Sequence, residues 1–286
     1  MSRHRFVFAF ASGLALATTL GASAAIAQSP IVIPLGHPTP TMRTVRVAIG
    51  GDSLDFLFDT GGGVTVISPE VAAKIGCTPS GRSVGFRMTG QMLAGPYCHD
   101  VALSVGGLSL HDDAGVMDFA KILGPNAPKV GGMISLSTLR GRALTLDLEH
   151  ERLTIETPAS LAARVRDMTP LSARIATGVS GGEFGVFVGI PVQTTMLWLE
   201  WDSENNGRTF LAPHAARLLG VTDSTGRGAV TLPLAPGVHP VIAVQAKEII
   251  HDGVLSARFL ERATWSVDLA TGRLWIGPIA PVAPGT

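Results

Sequence analysis

Residues 53–63 read SLDFLFDTGGG, and this stretch decides the fold that we predict for the chain. Leu54, Phe56 and Phe58 alternate with other residues, which is the period-two pattern of a strand with one buried face. The strand leads directly into Asp59 and three glycines. Glycine allows positive φ and lets other atoms approach a carboxylate closely. The stretch therefore predicts an acid held at the bottom of a cleft.

A short helix is predicted after this turn. Residues 66–76 read VISPEVAAKIG, in which proline lies in the first turn and glycine just past the end. An Asp-Thr-Gly tripeptide alone remains weak evidence, because a strand-to-turn junction with an Asx turn produces the same residues. The interpretation therefore depends on whether the pattern recurs.

The pattern does recur in the second half of the chain. A second alternating strand, residues 196–201, leads into Asp202, and residues 210–220 repeat the helix start with one additional residue in the turn. A second block repeats without a gap, because residues 132–155 and 253–276 share Gly, Asp, Leu, Arg, Leu and Ile in register. Two matched blocks in the same order indicate a duplicated β-unit.

The duplication and the N-terminal residues divide the chain into four segments. Residues 1–27 are predicted as a signal peptide, since a basic start precedes an apolar run and a small-x-small cleavage site. An uncleaved anchor is the alternative, but the run is short and interrupted by polar residues. Residues 28–158 are predicted as an N-terminal lobe, 159–168 as a linker and 169–286 as a C-terminal lobe. We expect no membrane span in the mature chain.

The composition favours an all-β globular protein. Among 286 residues, 46% are hydrophobic and 15% charged, and 34 glycines and 19 prolines favour many short strands over long helices. Lys plus Arg equals Asp plus Glu at 22 each, so nothing indicates nucleic acid or an anionic membrane as a partner. The histidines show no metal-ligand spacing and no phosphate-binding loop occurs. We therefore expect no cofactor and no metal.

The two cysteines, Cys77 and Cys98, fall in the same predicted lobe. An exported chain reaches an oxidising compartment, which favours a disulfide between them. Two buried free thiols are the alternative.

Taken together, the motif, the helix start and the repeated glycine block resemble the retropepsin-like aspartic proteases, in a two-lobed, single-chain, exported form. The resemblance covers nearly the whole mature chain. It implies two small closed β-barrel lobes related by a pseudo-twofold axis, each carrying one catalytic aspartate. By this resemblance Asp59 and Asp202 form the catalytic pair, and Thr60, Gly61 and Ser203 support it.

Such a pair suits peptide hydrolysis without metal or covalent intermediate. Two adjacent carboxyl groups cannot both ionise easily, so they share a proton and titrate as a unit. One group can then deprotonate water while the other protonates the carbonyl oxygen.

A flap is predicted over the cleft. The segment between Gly76 and Gly132 is longer than its counterpart in the second unit, which leaves room for an additional hairpin at Gly81 to Tyr97. We expect this hairpin to close over a peptide or unfolded protein bound in extended form as an added strand. A simple surface loop is the alternative.

The second motif departs from the family pattern. Glu204 stands where the family has glycine, so its side chain could clash or its charge could disturb the shared proton. Ser135 and Ser256 also replace glycine in the repeated block.

Two hypotheses follow from this combination of likeness and departure. The first is an exported aspartic endopeptidase, expected to be a monomer in the periplasm or secreted. The second is a catalytically impaired pseudo-protease that binds peptides or proteins.

Overall fold

A computed structural model describes residues 29–124, 126–178 and 181–281. The predicted signal peptide, residues 1–27, lies outside these described residues and stays a prediction. Within the described ranges no helix is both long enough and apolar enough to cross a membrane. Strands dominate, and the helices are short.

The elements follow one another in two similar series. The strands are β1 (Ile31–Pro34), β2 (Gly36–Thr39), β3 (Met42–Ile49), β4 (Asp52–Asp59), β5 (Val66–Ile67), β6 (Ser80–Phe86), β7 (Met92–Val105), β8 (Leu108–Val116), β9 (Gly132–Ser135), β10 (Ala143–Asp147), β11 (Arg152–Glu156), β12 (Thr169–Leu171), β13 (Ala173–Thr177), β14 (Phe184–Val192), β15 (Thr195–Glu200), β16 (Thr209–Leu211), β17 (Arg227–Thr231), β18 (Val241–Ala246), β19 (Gly253–Val254), β20 (Trp265–Asp268) and β21 (Arg273–Ile276). The α-helices are α1 (Pro69–Lys74), α2 (Phe119–Leu123), α3 (Pro158–Arg164), α4 (Pro213–Leu218) and α5 (Ala257–Leu260), and 3-10 turns occupy Leu136–Leu139 and Val165–Asp167.

The first lobe is an eight-stranded sheet in the order β2-β3-β4-β9-β5-β8-β7-β6. A further pairing of β3 with β7 closes this sheet on itself, so the lobe is a barrel. Phe56 and Phe58 of β4 are buried in its core, as their alternation predicts. Strand β9 runs parallel to β4 and antiparallel to β5. Asp59 therefore lies at the end of a strand that pairs with β3 on one side and with β9 on the other.

The second lobe repeats this arrangement. Its seven-stranded sheet has the order β13-β14-β15-β19-β16-β18-β17, with β19 parallel to β15 and antiparallel to β16. Leu199 and Trp201 are buried, on the stretch that leads to Asp202. Helices α1 and α4 occupy equivalent places after the two turns. The prediction of an all-β fold of two homologous lobes is confirmed.

A third sheet joins the two lobes. It has six strands in the order β1-β11-β10-β20-β21-β12, so each repeated unit contributes its final hairpin. The two hairpins meet where β10 pairs antiparallel with β20. There the Thr145 and Ser266 hydroxyls lie 2.8 Å apart and share a hydrogen bond. These two positions are equivalent in the repeat, which places the pseudo-twofold axis between them.

The serines that replace glycine in the repeated block have matching structural roles. The backbone N–H of Ser135 donates to the Thr65 hydroxyl at 3.1 Å, and that of Ser256 donates to the Thr209 hydroxyl at 3.1 Å. Each serine hydroxyl also accepts a backbone N–H from the helical turn that follows. N-terminal capping of this kind stabilises a helix by about 1 kcal/mol, which explains serine at both positions.

The connecting segment between the units contains α3 and the 3-10 turn Val165–Asp167. The boundaries at residues 158 and 168 stay a prediction.

Cys77, just after α1, is joined by a disulfide to Cys98 of β7 across 21 residues of sequence. Cys98 is buried in the core of the first lobe. A cross-link of this loop size stabilises a fold by roughly 3 kcal/mol, through the lost freedom of the unfolded chain.

Reducing this disulfide should therefore destabilise the first lobe. We expect dithiothreitol to lower the free energy of unfolding by roughly 3 kcal/mol, measured by urea denaturation followed by circular dichroism. The double variant Cys77→Ala with Cys98→Ala provides the control, because it should unfold at the same urea concentration with and without reductant. An unchanged wild-type midpoint on reduction would contradict the stabilising role.

Candidate active site

Two aspartates from the two lobes line the same cleft. Asp59 ends β4, and Asp202 follows the buried Trp201 in the second lobe. The cleft encloses about 990 Å³, and both acids contribute to its lining. Asp202 is only 8% exposed. The fold thus turns two residues that are distant in sequence into neighbours.

A reciprocal hydrogen-bond exchange holds the two acid-bearing turns together. The backbone N–H of Ser203 donates to the Thr60 hydroxyl at 2.9 Å, while the backbone N–H of Thr60 donates to the Ser203 hydroxyl at 3.1 Å. The Thr60 hydroxyl donates in turn to the Trp201 carbonyl at 2.6 Å, and the Ser203 hydroxyl to the Phe58 carbonyl at 3.2 Å. All of these groups are buried, so water does not compete for them.

Backbone N–H groups orient both carboxyl groups. Gly61 donates to Asp59 Oδ1 at 2.9 Å, and Glu204 and Asn205 donate to Asp202 Oδ1 at 2.8 and 3.0 Å. A Cβ at Gly61 would lie 2.7 Å from Asp202 Cγ, closer than such atoms approach in proteins. Glycine is therefore required at Gly61 because the second acid packs directly against it.

The pKa values of both aspartates are raised. Burial first, and then the charge of Asp202, raises the pKa of Asp59 to about 8, although N–H groups of Gly61 and Gly62 oppose the shift. Burial raises the pKa of Asp202 to about 6, against the N–H groups of Glu204 and Asn205. The pair therefore binds its last proton far more tightly than an isolated carboxyl group does. This is the behaviour of two acids that share one proton.

Glu204 fits into the second turn without a clash. Its side chain points to the first lobe and accepts a hydrogen bond from the backbone N–H of Arg43 at 3.0 Å. Burial first, and then the charge of Asp59, raises the pKa of Glu204 to about 9, so the group is neutral at pH 7. The backbone N–H still serves Asp202, as that of Gly61 serves Asp59. The departure in sequence thus preserves the hydrogen bonds around the aspartates.

The longer second turn also ties the lobes to each other. Asn206 Nδ2 donates to the Thr41 carbonyl across the lobe boundary. The buried Asn205 side chain donates to the carbonyls of Val254 and Leu255 at 3.2 and 3.3 Å, which fixes the turn onto β19. Sequence reasoning missed Asn205 and Asn206, because neither belongs to a pattern shared by the two units.

Glu200 was also missed, although the repeat contains a signal for it. It lies two residues before Asp202, as Leu57 lies two residues before Asp59. Its side chain is 13% exposed and lines the cleft. Burial first, and then the charges of Asp202 and Asp59, raises the pKa of Glu200 well above its ordinary value. Aligning the two strands position by position would have revealed a carboxyl group opposite a leucine.

A β-hairpin of β6 and β7 covers the cleft, in the segment where the flap was predicted. Residues from both of its strands and its tip line the cavity. The backbone N–H of Ile250 in the second lobe donates to the Met88 carbonyl at the hairpin tip, at 2.9 Å. The hairpin therefore reaches across the cleft to the opposite lobe. In the described part of the chain no three His, Cys, Asp or Glu side chains are grouped to hold a metal ion.

Comparison with known proteins finds one family model that matches part of the chain and several solved structures with a similar fold. Residues 45–138, which include the first motif and the β9 strand, match the family model described as aspartyl protease. The fold is similar to that of basic 7S globulin from soybean, with a TM-score of 0.57 and 12% identity over 87% of this chain and 95% of that one.

Two further solved structures are similar. Conglutin gamma, a basic 7S globulin from lupine seeds, has a TM-score of 0.57 and 9% identity over 88% of this chain and 95% of that one. The structure named edgp has a TM-score of 0.56 and 10% identity over the same shares. At these identities the likeness shows the fold alone.

No curated protein matches the sequence. The family match over residues 45–138 and the two-lobed fold shared with the globulins confirm the predicted resemblance to the aspartyl proteases.

Proposed function

We propose that the chain is an exported aspartic endopeptidase in which Asp59 and Asp202 activate a water molecule. The observation that carries this proposal is the reciprocal Thr60 and Ser203 hydrogen bonding, which holds two buried carboxyl groups on the same cleft. The disulfide and the signal-like N-terminus support export. The covering hairpin and the cleft of about 990 Å³ support an extended peptide as the substrate.

The chemistry follows from one shared proton. The ionised carboxylate takes a proton from water, and the water oxygen attacks the carbonyl carbon of the peptide bond. The protonated carboxyl group gives its proton to the carbonyl oxygen, which forms a tetrahedral diol. In the second step the acid formed from the base protonates the amide nitrogen, a diol hydroxyl returns its proton to the other carboxylate, and the carbon–nitrogen bond breaks. The pair ends with one proton, as it began.

A second candidate function is a peptide-binding module without catalysis. Glu204 favours it, because a third carboxyl group lies near the pair where glycine is the family pattern. The two candidates share the cleft and differ only in whether bonds are cleaved.

Removal of either aspartate should abolish cleavage. We expect Asp59→Asn and Asp202→Asn each to lower kcat/KM on an unfolded protein substrate at least about 100-fold, because either change removes a group needed for proton transfer. A statine-type transition-state mimic should inhibit the wild type. Asp55→Asn is the matched control, since this exposed acid lies on the same strand outside the cleft. If the wild type cleaves nothing between acidic and alkaline pH, the binding module is the better description.

The rate should be highest near neutral pH. The pair carries one proton between pKa values of about 6 and about 8. Below this range both groups are protonated and no base is present; above it both are ionised and no acid is present. We expect a bell-shaped plot of kcat/KM against pH. A maximum below about pH 4, close to the ordinary carboxyl pKa, would contradict the effect of burial.

Glu204→Gln should leave the neutral-pH rate within about threefold, because a neutral amide oxygen can accept the Arg43 N–H as the neutral acid does. The two proteins should differ in stability at alkaline pH. A raised folded-state pKa stabilises the wild type at low pH, and this contribution is lost as pH rises through about 9. The wild-type melting temperature should therefore fall more between about pH 5 and about pH 9 than that of Glu204→Gln.

Glu70→Gln, an exposed acid of α1, controls for the loss of one carboxyl group in that comparison. If the melting temperatures of all three proteins fall equally between about pH 5 and about pH 9, Glu204 is already ionised in the folded state over this range, and the raised pKa is contradicted.

Glu204→Gly tests the altered turn itself, because a gain in rate would mean that the side chain limits catalysis.

A further inference from the structure

The repeat gives the cleft two equivalent side-chain positions, one beside each catalytic aspartate. Leu57 of β4 and Glu200 of β15 each lie two residues before their aspartate and line the cleft. Their strand pairings match, since Leu57 is opposite Met133 of β9 and Glu200 is opposite Val254 of β19. An extended peptide that crosses between the aspartates would place neighbouring side chains on opposite sides, one toward each position.

The first position is apolar. Leu57 belongs to a small hydrophobic cluster separate from the barrel core, and the partly buried Met133 packs against it. The other buried members of this cluster are Met42, Val66 and Phe119, and all of them line the cleft. This side of the cleft suits an apolar side chain.

The second position carries a carboxyl group without a hydrogen-bond donor. The basic side chain within ion-pair distance of the Glu200 carboxyl is His251, whose Nε2 lies 3.6 Å from Oε2, beyond hydrogen-bond distance. Burial lowers the pKa of His251, which disfavours the imidazolium form that could pair with Glu200. Phe187, whose ring packs against His251 at 5.1 Å, forms an apolar wall. Within the described residues no side chain or backbone N–H donates a hydrogen bond to the carboxyl oxygens of Glu200, although the Leu255 N–H donates to its backbone carbonyl at 2.9 Å.

The nearby cationic side chains have other partners. The Arg174 guanidinium lies 4.7 Å from the Trp198 ring centre and 5.4 Å from that of Phe187. The Lys247 ammonium lies 4.5 Å from the Phe210 ring centre. Neither forms an ion pair with Glu200 in the described structure. A buried carboxylate is costly unless it is paired, and the raised pKa of Glu200 reflects this cost. A cation brought by a ligand would supply the missing partner of the ionised carboxylate.

We propose that the Glu200 pocket accepts a lysine or arginine side chain of the substrate while the Leu57 pocket accepts an apolar one, so that cleavage occurs between an apolar and a basic residue. This inference rests on the proposed endopeptidase function. The ammonium or guanidinium would pair with Glu200, and its aliphatic stem would pack against Phe187. The two equivalent positions of the symmetric fold would thus bind side chains of different chemistry.

The test is the cleavage profile of a mixed peptide library, read by mass spectrometry at both residues that flank each cut bond. We expect lysine or arginine to be enriched on one side and apolar residues on the other in the wild type. Glu200→Leu, which copies the first lobe, should lower the preference for the basic residue over methionine at least about tenfold. Glu200→Gln should lower it in the same direction while keeping the side-chain size.

Glu70→Gln, which removes an exposed acid of α1 outside the cleft, should keep the wild-type profile. The same basic preference in the wild type and in both Glu200 variants would overturn the inference, and so would a wild-type profile without basic residues. These outcomes leave the proposed function intact, because cleavage still depends on Asp59 and Asp202.

If the wild type cleaves no peptide, the proposed function fails and the pocket is tested separately by binding. Calorimetry with statine-type peptides would then compare lysine with methionine beside the statine, on either side. Tighter binding of a lysine peptide that is lost in Glu200→Leu supports the pocket. Equal binding of the two peptides by the wild type overturns it.

Discussion

The structure depends on burying two carboxyl groups from different halves of the chain side by side. Carboxylates are costly to bury and repel each other, so the surroundings must hold them in place. The Thr60 and Ser203 exchange meets this requirement, because each residue supplies both a donor and an acceptor to its counterpart. Such hydrogen bonds need both lobes at fixed spacing. The middle sheet provides that spacing by joining the two final hairpins edge to edge.

The symmetry is kept where it supports the aspartates and broken where a ligand would bind. The backbone N–H groups of Ser135 and Ser256 donate hydrogen bonds of the same length, 3.1 Å, in both lobes. The covering hairpin, by contrast, belongs to the first lobe, and the longer turn at Glu204 belongs to the second. A substrate has a direction along its chain, so a symmetric framework with unequal cleft walls can distinguish the two ends of a peptide.

Much of this arrangement could be predicted from the sequence, because it repeats. The alternation of Phe56 and Phe58 predicts the buried strand, and the matched blocks at residues 132–155 and 253–276 predict the two lobes. The effect of Glu204 could not be predicted, since it depends on where a flexible side chain finds a hydrogen-bond partner across the lobe boundary. The role of Asn205 could not be predicted either, because its side-chain amide donates to carbonyls about 50 residues away in sequence. No local sequence pattern indicates such a contact.

The shared middle sheet has a consequence for any chain divided at the connecting segment around residues 159–168. Separation would leave β10 in one fragment and β20 in the other, each with a row of unsatisfied backbone groups. Exposed edges of this kind recruit further strands and promote aggregation. Covalent fusion of the two units therefore also opposes aggregation, because each half pairs with the exposed strand edge of the other as the chain folds.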